Sequence, residues 1–393
     1  MTSTSLSRTA QDVLDQCLSG HVPDRLPRFL IEDPDGQALF GILAEGLADR
    51  FEPVLCDAYA HLFAQAIGGA DLVARYQRVR NPRPVAGNPR RVFVLSRVTL
   101  GADVAVTSVV LDAAKRRFPD AEVVFVGPFK NYELFAADPR VRHASIGYRR
   151  GGLRERLAAG DDLRDLLSAP DSLVLDPDSR LTQLGLLPVC AEERHHLFES
   201  RSYGGETTRP LPELAAAWAF ETLGVSGARP YLALAAKPEP RDVVAVSLGV
   251  GDNPAKRIAD PFEEELLRLL AATGAALWID KGAGGEEAAR VERAVERSGV
   301  QASFWDGSFA GFASIVAGSR LYAGYDSAGQ HIAAAAGVPL ISVFAGFPAP
   351  RMFDRWRPTG PHCAVLRVER PDPAEVMEEV RHALEALRLD TEP

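Results

Sequence analysis

Short apolar runs alternate with amphipathic stretches along the chain from residue 91 onward. Residues 92–95 form the first run, and residues 104–117 come after it with apolar side chains at helical spacing. Short runs that are apolar throughout are typical of parallel strands covered by helices on both faces. This first series predicts further strands at 122–126, 143–148 and 172–175, and further helices at 131–136 and 152–167.

The same alternation starts again after a charged, proline-rich joint at residues 237–240. We therefore expect two doubly wound α/β domains with a hinge at 237–241. Ligands of open α/β sheets bind beyond the carboxyl ends of the strands, so we expect both halves to face one cleft. The second series predicts strands at 243–248, 275–279, 302–305, 321–323 and 339–344. Its predicted helices are at 261–272, 286–297, 309–317, 330–336 and 373–387.

Residues 1–88 have a different pattern, with helical spacing and no strand-like alternation. Helices are predicted at 9–18, 37–51 and 57–67. The prolines between residues 81 and 89 disfavour helix on their N-terminal sides, which indicates a linker. The predicted division is a helical extension at 1–88 and α/β domains at 89–236 and 237–393. The extension contains no chemical motif, and we interpret it as a helical cap or as a module that binds an acceptor or a partner.

Composition places the chain among ordinary globular proteins, with 393 residues, 46% hydrophobic and 25% charged. A formal charge of −9 leaves no broad basic surface for nucleic-acid phosphates. The four cysteines form no CxxC pair, which excludes a zinc ribbon and gives no sign of a disulfide framework. The N-terminus lacks an apolar signal segment, and the most apolar stretch, 332–347, is too short to cross a bilayer. We therefore expect a cytoplasmic protein without a transmembrane segment.

The turn after the first predicted strand, residues 96–103, ends in a carboxylate. A glycine-containing loop between a strand and a helix exposes backbone N–H groups and places Asp103 near the helix N-terminus. Asp103 is then either a simple N-cap or a general base that takes a proton from an incoming hydroxyl or amine. The second role requires a dry site that raises its pKa. The neighbouring candidate residues are Arg97, Thr99 and Gly101, with Asp176 and Asp178 at a later strand end.

The corresponding turn of the second sheet, residues 249–257, combines glycines with two cations. Backbone amides together with Lys256 and Arg257 suit a pyrophosphate, whose negative charge grows as it departs as a leaving group. Basic loop residues are also commonly just solvated, so the turn alone leaves both interpretations open. Its candidate residues are Gly249, Gly251, Asn253, Lys256 and Arg257.

A third turn, residues 325–331, lies between a strand and an alanine-rich helix. Asp326 and Ser327 can cap that helix, while its remaining free N–H groups attract phosphate. Ala328 and Gly329 stand at the helix start. His331 lies one turn inside the helix. A lone histidine near a helix start is more often structural, but its neighbours here favour a donor-binding role, in contact with the phosphate or an adjacent loop.

Two further motif classes are excluded by spacing. The glycine loop at residues 280–285 lacks the GxxxxGK[ST] spacing of a P-loop and is interpreted as a tight turn. The sequence contains no HExxH motif and no cluster of cysteine, histidine and aspartate that predicts a metal.

The three turns together resemble glycosyltransferase family 9, the heptosyltransferase family, which has the GT-B fold of two Rossmann-like domains. The resemblance covers residues 91–387. Its most specific part is Asp326-Ser327-x-x-x-His331, followed after Ile332 by Ala-Ala-Ala-Ala-Gly-Val-Pro, which is similar to the family's Asp-Thr-Gly-x-x-His segment. Residues 350–358 resemble the arginine–tryptophan–proline stretch that comes after it in the family. The chain departs from the pattern by inserting Ala102 before Asp103 and by carrying Ala328 in place of a glycine.

The resemblance implies an inverting sugar transfer from a nucleotide-sugar donor, an ADP-activated heptose or a related sugar, without cofactor or obligatory metal. Asp103 corresponds to the family's base, and Lys256 to a lysine beside the donor phosphates. Residues 89–236 would then bind the acceptor and residues 237–393 the donor. Lipopolysaccharide core is the family's commonest acceptor, but a soluble natural product or a protein would serve the chemistry equally.

Two alternatives remain open at the level of sequence. A GT-B epimerase would act on a nucleotide sugar without any acceptor, but the acid and base groups that it needs are not identifiable here. A non-catalytic protein that binds a sugar nucleotide and recruits a partner through its N-terminal helices is the other alternative. The inserted Ala102 favours this second one, because it displaces the base. Oligomeric state is not predicted.

Overall fold

The computed structural model describes residues 3–236, 238–251, 253–282 and 284–389. Lys237 of the predicted joint, Asp252 of the second turn and Ala283 of the 280–285 loop lie outside the described residues. The chain divides into two compact units. The first consists of Met1–Tyr132, Pro139–Arg229 and Pro348–Arg355, and the second of Glu133–Asp138, Pro230–Phe347 and Trp356–Pro393. No helix of the described residues is long and apolar enough to cross a membrane.

The N-terminal extension is helical, as its pattern predicts. In the first helix the buried residues Ala10, Val13, Leu14 and Cys17 recur at three- and four-residue spacing and form one apolar stripe. The helices are α1 (Ser3–Leu18), α2 (Arg28–Ile31), α3 (Glu45–Ala48), α4 (Pro53–Ile67) and α5 (Ala70–Val79), with a π-helix at Gln37–Ala44 before α3. Helix α5 was not predicted.

The extension shares one apolar core with the first α/β sheet. Buried leucines of the extension pack in the same cluster as Leu153, Leu186 and Leu197. The linker is tied down at both ends, since Val85 N donates to Thr222 O at 2.9 Å and Arg90 N to Asp171 O at 2.9 Å. Residues 1–88 therefore belong to the first compact unit. The division into domains at 1–88, 89–236 and 237–393 stays a prediction.

The first sheet is parallel, with the order β3-β2-β1-β4-β5. Its strands are β1 (Arg91–Leu95), β2 (Glu122–Gly127), β3 (Val141–Ser145), β4 (Ser172–Asp176) and β5 (His195–Leu197). Its helices are α6 (Leu100–Ala102), α7 (Ser108–Arg117), α8 (Phe129–Tyr132), α9 (Leu153–Leu167) and α10 (Leu211–Leu223), with a π-helix at Asp103–Thr107. Strand β4 is buried at every position, which explains its continuous apolar run.

One predicted helix of this half, at 131–136, is wrong. Helix α8 ends at Tyr132, and the residues after it form backbone bonds with a distant segment instead. Ala137 N donates to Ala233 O at 2.9 Å, and Ala233 N donates to Leu134 O at 2.9 Å. These bonds place residues 133–138 in the second unit, so a continuous helix cannot form there.

The second sheet is also parallel, with the order β11-β10-β9-β6-β7-β8. Its strands are β6 (Val243–Ser247), β7 (Ala276–Asp280), β8 (Ala302–Trp305), β9 (Leu321–Tyr325), β10 (Leu340–Phe344) and β11 (Cys363–Arg367). The remaining helices are α11 (Phe262–Ala271), α12 (Gly285–Ser298), α13 (Phe309–Gly318), α14 (Ala328–Ala336), α15 (Pro350–Trp356) and α16 (Pro373–Leu389).

Each sheet has a point where the order of its strands reverses. In the first sheet β1 lies between β2 and β4, and in the second β6 lies between β7 and β9. The chain leaves neighbouring strands in opposite directions at such a point, which opens a crevice at the carboxyl edge. The three turns singled out in the sequence come after β1, β6 and β9, so each lies at a reversal point. The predicted fold class, α/β with two doubly wound Rossmann-like halves and an N-terminal helical extension, is confirmed.

Candidate functional site

In the second unit, the turn after β6 is shaped by Asn253. Its Oδ1 accepts from Ala255 N at 3.0 Å, which caps the short 3-10 turn Pro254–Lys256. Its Nδ2 donates to Gly346 O at 3.2 Å, beyond the end of β10. Asn253 thus holds the turn against the neighbouring strand end and fixes the backbone from which Lys256 projects. The contacts of Asn253 within the predicted site are therefore structural: they hold the turn in place.

Lys256 reaches from this turn to the end of β9. Its Nζ donates to Asp326 Oδ2 at 2.7 Å and to the Asp326 carbonyl oxygen at 3.2 Å. The two side chains are 18% and 8% exposed, so the ion pair is shielded from water on most sides. An ammonium has three N–H donors, and these two bonds leave the third for another acceptor. The structure therefore brings two of the predicted residues into direct contact.

Asp326 is held from its other side by the helix that begins after it. Its Oδ1 accepts from Gln330 Nε2. Gln330 Oε1 in turn accepts from Ser342 Oγ of β10 at 2.5 Å. This buried chain of hydrogen bonds fixes Asp326, and through it the Lys256 ammonium, relative to strands β9 and β10.

The N-terminus of α14 has no side-chain cap among the described residues. Ser327 occupies the N-cap position, but its side chain does not bond the helix amides and instead lies 3.1 Å from the Tyr322 hydroxyl. The prediction that Asp326 and Ser327 cap this helix is therefore wrong, because Lys256, Gln330 and Tyr322 engage their side chains. Uncapped first-turn amides, together with the helix dipole, attract an anion.

Small residues at the start of α14 are required by packing. A Cβ atom on Gly329 would collide with the Tyr322 hydroxyl and would lie 2.6 Å from the carbon atoms of its ring. Ala328 precedes it at the first helical position. The glycine that the family pattern places at 328 is thus found one residue later, where the tyrosine ring demands it.

His331 is a buried structural neighbour of this site. It is 6% exposed, and its ring meets Trp356 edge to face with centroids 5.9 Å apart. Burial is the main reason that its pKa is lowered to about 4; the Asp326 carboxylate opposes this shift and the Lys256 cation adds to it. The ring is therefore neutral at pH 7. Of the two interpretations of His331, this packing favours the structural one.

We expect the neutral, buried state of His331 to make stability fall as the solution is acidified. In the unfolded chain the ring takes up a proton near pH 6.5, whereas in the folded chain it does so only near pH 4. Between these values the unfolded state binds more protons, so unfolding becomes easier as pH falls through this window, by about 3 kcal/mol in all.

Urea unfolding of the wild type and of His331→Gln from pH 7.5 to 4 measures this effect. His196 has a pKa of about 4 as well, so both proteins lose stability in acid. Only the difference between them reports His331. An equal loss in the two proteins contradicts the assignment.

Glu287, near the start of α12, was missed by sequence analysis. Its carboxylate accepts from Val250 N at 3.0 Å and from Gly251 N at 3.2 Å, in the turn after β6. These are amides of the turn in which Gly249 and Gly251 were expected to bind pyrophosphate. A carboxylate occupies them because two successive N–H groups form a concave site for any oxyanion. The signal available in sequence was only a carboxylate after a glycine loop, which is too common to decide anything.

Arg257 is also engaged within the second unit. Its Nε lies 3.2 Å from Glu263 Oε1, and its guanidinium bonds Asp260 as well. Two carboxylates therefore neutralise the charge that was expected to face a phosphate. Among the predicted cations of this turn, Lys256 is the one whose partner belongs to the third turn.

In the first unit, Asp103 is completely buried and fully bonded. Its Oδ1 accepts from Arg97 N at 2.7 Å and from Thr107 Oγ1 at 2.6 Å. Its Oδ2 accepts from Ser96 Oγ at 2.6 Å and from Asn131 Nδ2 at 2.6 Å. Burial raises the pKa of this carboxyl, and the four donors partly oppose the rise. The carboxylate is thus dry, as the general-base role requires, but it is enclosed rather than exposed at the sheet edge.

The inserted Ala102 coincides with a break in the helix. Helix α6 contains Gly101 and ends at Ala102, and a π-helix continues the chain at Asp103–Thr107 before α7. A π-turn accommodates one extra residue within a helix without shifting the later turns, and such bulges recur at functional sites. The π-helix that begins at Asp103 can therefore accommodate the inserted residue locally.

Asp176 and Asp178 were expected to line the same edge, but both are buried. Asp178 accepts from Ser200 Oγ at 2.6 Å and from the guanidinium of Arg201. Arg97 Nη1 lies 3.6 Å from Asp178 and donates to Pro177 O at 2.6 Å. Arg97 is thus tied to the loop after β4, and the two aspartates stabilise that loop instead of facing solvent.

Of the other two candidates in the turn after β1, Thr99 is exposed and Gly101 is buried.

Strained backbone marks the same edge. Val98 has φ 72° and Asp178 has φ 68°, a region that costs energy for residues with a Cβ atom. One comes after β1 and the other after β4, so both lie at the reversal point of the first sheet. Strain of this kind persists only where surrounding contacts hold it, and it is concentrated at functional sites.

The extension reaches this network through α5. Arg75 Nη2 lies 2.7 Å from His195 Nδ1, and His195 Nε2 lies 3.2 Å from Asp176 Oδ2. Because the guanidinium can only donate, His195 Nδ1 accepts and Nε2 carries the proton. Arg75 also donates to Gly185 O at 3.3 Å, next to the left-handed residues Gln183 and Leu184. Residues of the extension thus support the loop after β4.

Among the described residues, no group of three or more His, Cys, Asp or Glu side chains is arranged to hold a metal ion. The absence of an obligatory metal stays a prediction.

The fold is shared with solved glycosyltransferases. The structure of E. coli heptosyltransferase WaaC with ADP matches with a TM-score of 0.56 and 18% identity, covering 75% of this chain and 99% of that one. The family 9 glycosyl transferase from Veillonella parvula DSM 2008 matches with a TM-score of 0.54 and 14% identity, covering 76% and 98%. E. coli ADP-heptose lps heptosyltransferase II matches with a TM-score of 0.52 and 18% identity, covering 75% and 99%. No protein-family model matches the sequence, and none of the curated proteins is similar to it. These likenesses establish the GT-B fold that the family resemblance implied.

Proposed function

We propose that the protein is a glycosyltransferase that moves a sugar, of the heptose class, from an ADP-linked donor to an acceptor hydroxyl or amine. The observation that carries this proposal is the uncapped N-terminus of α14 with the Lys256 ammonium beside it. Both offer donors to an anion, and both lie at the reversal point of the second sheet. The solved structures that share this fold include heptosyltransferases, one with ADP.

The donor's diphosphate would accept from the free N–H of Lys256 and from the first-turn amides of α14. Negative charge grows on the leaving phosphate oxygen as the sugar–oxygen bond breaks, so donors placed there lower the barrier more than they tighten binding. No metal ion is assigned to this step. Asp326 orients the ammonium throughout.

On the acceptor side, Asp103 is the proposed base. The acceptor oxygen or nitrogen forms its bond to the anomeric carbon while the bond to the diphosphate breaks, and the acceptor proton passes to the Asp103 carboxylate. A raised pKa suits a base of this kind. One of its four donors must give up its bond when the proton arrives. The acceptor class remains open among a lipopolysaccharide core, a soluble natural product and a protein.

The enclosure of Asp103 supports a second candidate, a non-catalytic protein that binds a sugar nucleotide. A carboxylate with four donors and no exposed surface serves equally well as a buried strut for the turn after β1. This candidate requires the same donor site and no transfer.

Nucleotide release from ADP-heptose separates the two candidates. We expect ADP to appear slowly without acceptor and faster with a suitable acceptor, in EDTA as in magnesium. UDP-glucose serves as the control donor and should release little UDP. If ADP-heptose binds tightly but no ADP is released with any acceptor, the result supports the non-catalytic binding protein. If ADP-heptose does not bind, both candidates are wrong.

A further inference from the structure

A cavity of about 750 Å³ lies at the amino edge of the first sheet, where no motif was predicted. The linker that precedes β1 forms one wall, and the beginnings of β4 and β5 form the other. Its charged and titratable lining residues are Arg83 and Arg90 in the linker and Asp171, Glu193, Arg194 and His196 in the opposite wall.

This cavity is separate from the edge that carries Asp103. Arg90 directly precedes β1, Ser172 begins β4, and Arg194 directly precedes β5. The Asp103 network lies instead beyond the carboxyl ends of β1 and β4. A five-residue strand such as β1 spans about 16 Å, so the two sites lie on opposite edges of the sheet.

Two guanidinium groups of the cavity are fixed by uncharged oxygen atoms. Arg83 Nη2 donates to Glu192 O at 2.5 Å and to His195 O at 2.8 Å. Arg194 Nη1 donates to Ala169 O at 3.0 Å and to Ser172 Oγ at 2.6 Å. These bonds orient each group, and neither forms an ion pair within the described part of the chain. The pKa of the Glu192 carboxyl is lowered mainly by its ion-pair partner Arg78, and the Arg83 charge helps to lower it. Each guanidinium has further N–H groups to offer.

The cavity is also lined by a third arginine, Arg90, and by the carboxylates of Asp171 and Glu193. Arg90 is exposed and its side chain has no partner among the described residues. Asp171 and Glu193 are exposed as well, and within the described part of the chain neither forms an ion pair with the three arginines. His196 is buried, with a pKa lowered to about 4 by burial and by Arg83, so it adds no charge at pH 7. The three guanidinium groups outnumber the two carboxylates, so the lining of the cavity has a formal excess of one positive charge.

We propose that this cavity binds a small phosphorylated molecule, of the size of a sugar phosphate or a nucleotide. Guanidinium groups match phosphate oxygens with paired hydrogen bonds, and the excess of cations over carboxylates favours an anion. The cavity volume lies in the middle of the range of small-molecule sites. The linker wall is anchored at both ends, so the site is formed before the ligand arrives.

Isothermal titration with inorganic pyrophosphate and with ribose 5-phosphate, at constant ionic strength, tests the proposal. Pyrophosphate can also bind at the proposed donor site. Every titration is therefore done with the wild type and with Lys256→Ala, in which the donor site is weakened. We expect a site that persists in Lys256→Ala and weakens at least tenfold in Arg90→Ala. Arg293→Ala is the matched control, because Arg293 is also exposed and lies on α12, far along the chain from the cavity.

Two further variants keep the outcome decisive. Arg90→Lys should retain part of the affinity and Arg90→Glu should abolish it. Neither should change the unfolding temperature appreciably, since this exposed side chain forms no hydrogen bond or ion pair in the described chain. Equal affinity in wild type, Arg90→Ala and Arg90→Glu overturns the proposal. Loss of all pyrophosphate binding in Lys256→Ala also overturns it, since the donor site then accounts for all of the pyrophosphate bound by the wild type. Comparing ribose 5-phosphate with AMP shows whether the ligand is a sugar phosphate or a nucleotide.

Discussion

Lys256→Ala should weaken ADP binding about 10- to 150-fold and slow sugar transfer at least as much. A charge-assisted hydrogen bond contributes about 1.5–3 kcal/mol, which corresponds to this range of affinity. The loss in turnover should be the larger of the two, because the charge on the departing phosphate exceeds that in the bound donor. Calorimetry with ADP and steady-state release from ADP-heptose measure the two effects separately.

The substitution also leaves Asp326 without its cation at a position that is 8% exposed. Some loss of stability is therefore expected, and affinity must be measured well below the unfolding temperature. Lys281→Ala is the control: this lysine comes directly after β7 of the same sheet, and its Nζ pairs with Glu292 at 2.7 Å. Its removal should leave ADP binding unchanged. If Lys256→Ala binds ADP and turns over like wild type, the donor site is wrongly placed.

The sheets were predictable because a strand buried on both faces leaves a continuous apolar run. Strand β4 and strand β10 are buried throughout and were found from sequence to within a residue or two. Strands β5 and β11 were not. Strand β5 is three residues long and begins with two histidines, and β11 is an edge strand of intermediate burial that ends in arginine. Neither has the apolar run on which the prediction depends.

The positions of the site turns were predictable, but their contacts were not. Residues that come after parallel strands lie at the carboxyl edge of their own sheet. This is why Asp103 in the first sheet, and Lys256 and Asp326 in the second, could be chosen from sequence. Which side chain meets which is decided by tertiary packing. Glu287 accepts from the amides of Val250 and Gly251, which lie 37 and 36 positions away along the chain. No local sequence pattern predicts this contact.

The role of the extension shows the same limit. Its helices were evident from periodicity, yet the pairing of Arg75 with His195 depends on how α5 docks beside β5. Because Arg75 is buried and fixes the tautomer of His195, it had to be found in the structure. The extension is consequently part of the unit that contains the proposed acceptor side.

Asp103→Asn should reduce sugar transfer about 10²- to 10⁴-fold, the contribution of a general base, while ADP affinity stays within about twofold of wild type. The substitution removes the charge but preserves the shape. The introduced carbonyl oxygen can keep the bonds from Arg97 N and Thr107 Oγ1. Its NH2 group then faces Ser96 Oγ, which can rotate to accept, and Asn131, whose Oδ1 has no partner in the described part of the chain. A flip of the Asn131 amide supplies that acceptor, so the loss of stability should be small.

Thr107→Val is the matched control, since it removes one donor to the same carboxylate and leaves the carboxylate in place. It should lower the unfolding temperature, yet it should retain most of the transfer rate. Because burial raises the pKa of Asp103, the acidic limb of the pH–rate profile should lie above the usual range of an aspartate and should vanish in Asp103→Asn. An enzyme that transfers sugar equally well with either side chain at 103 would make the residue a buried strut. The acceptor proton would then have to leave by another route.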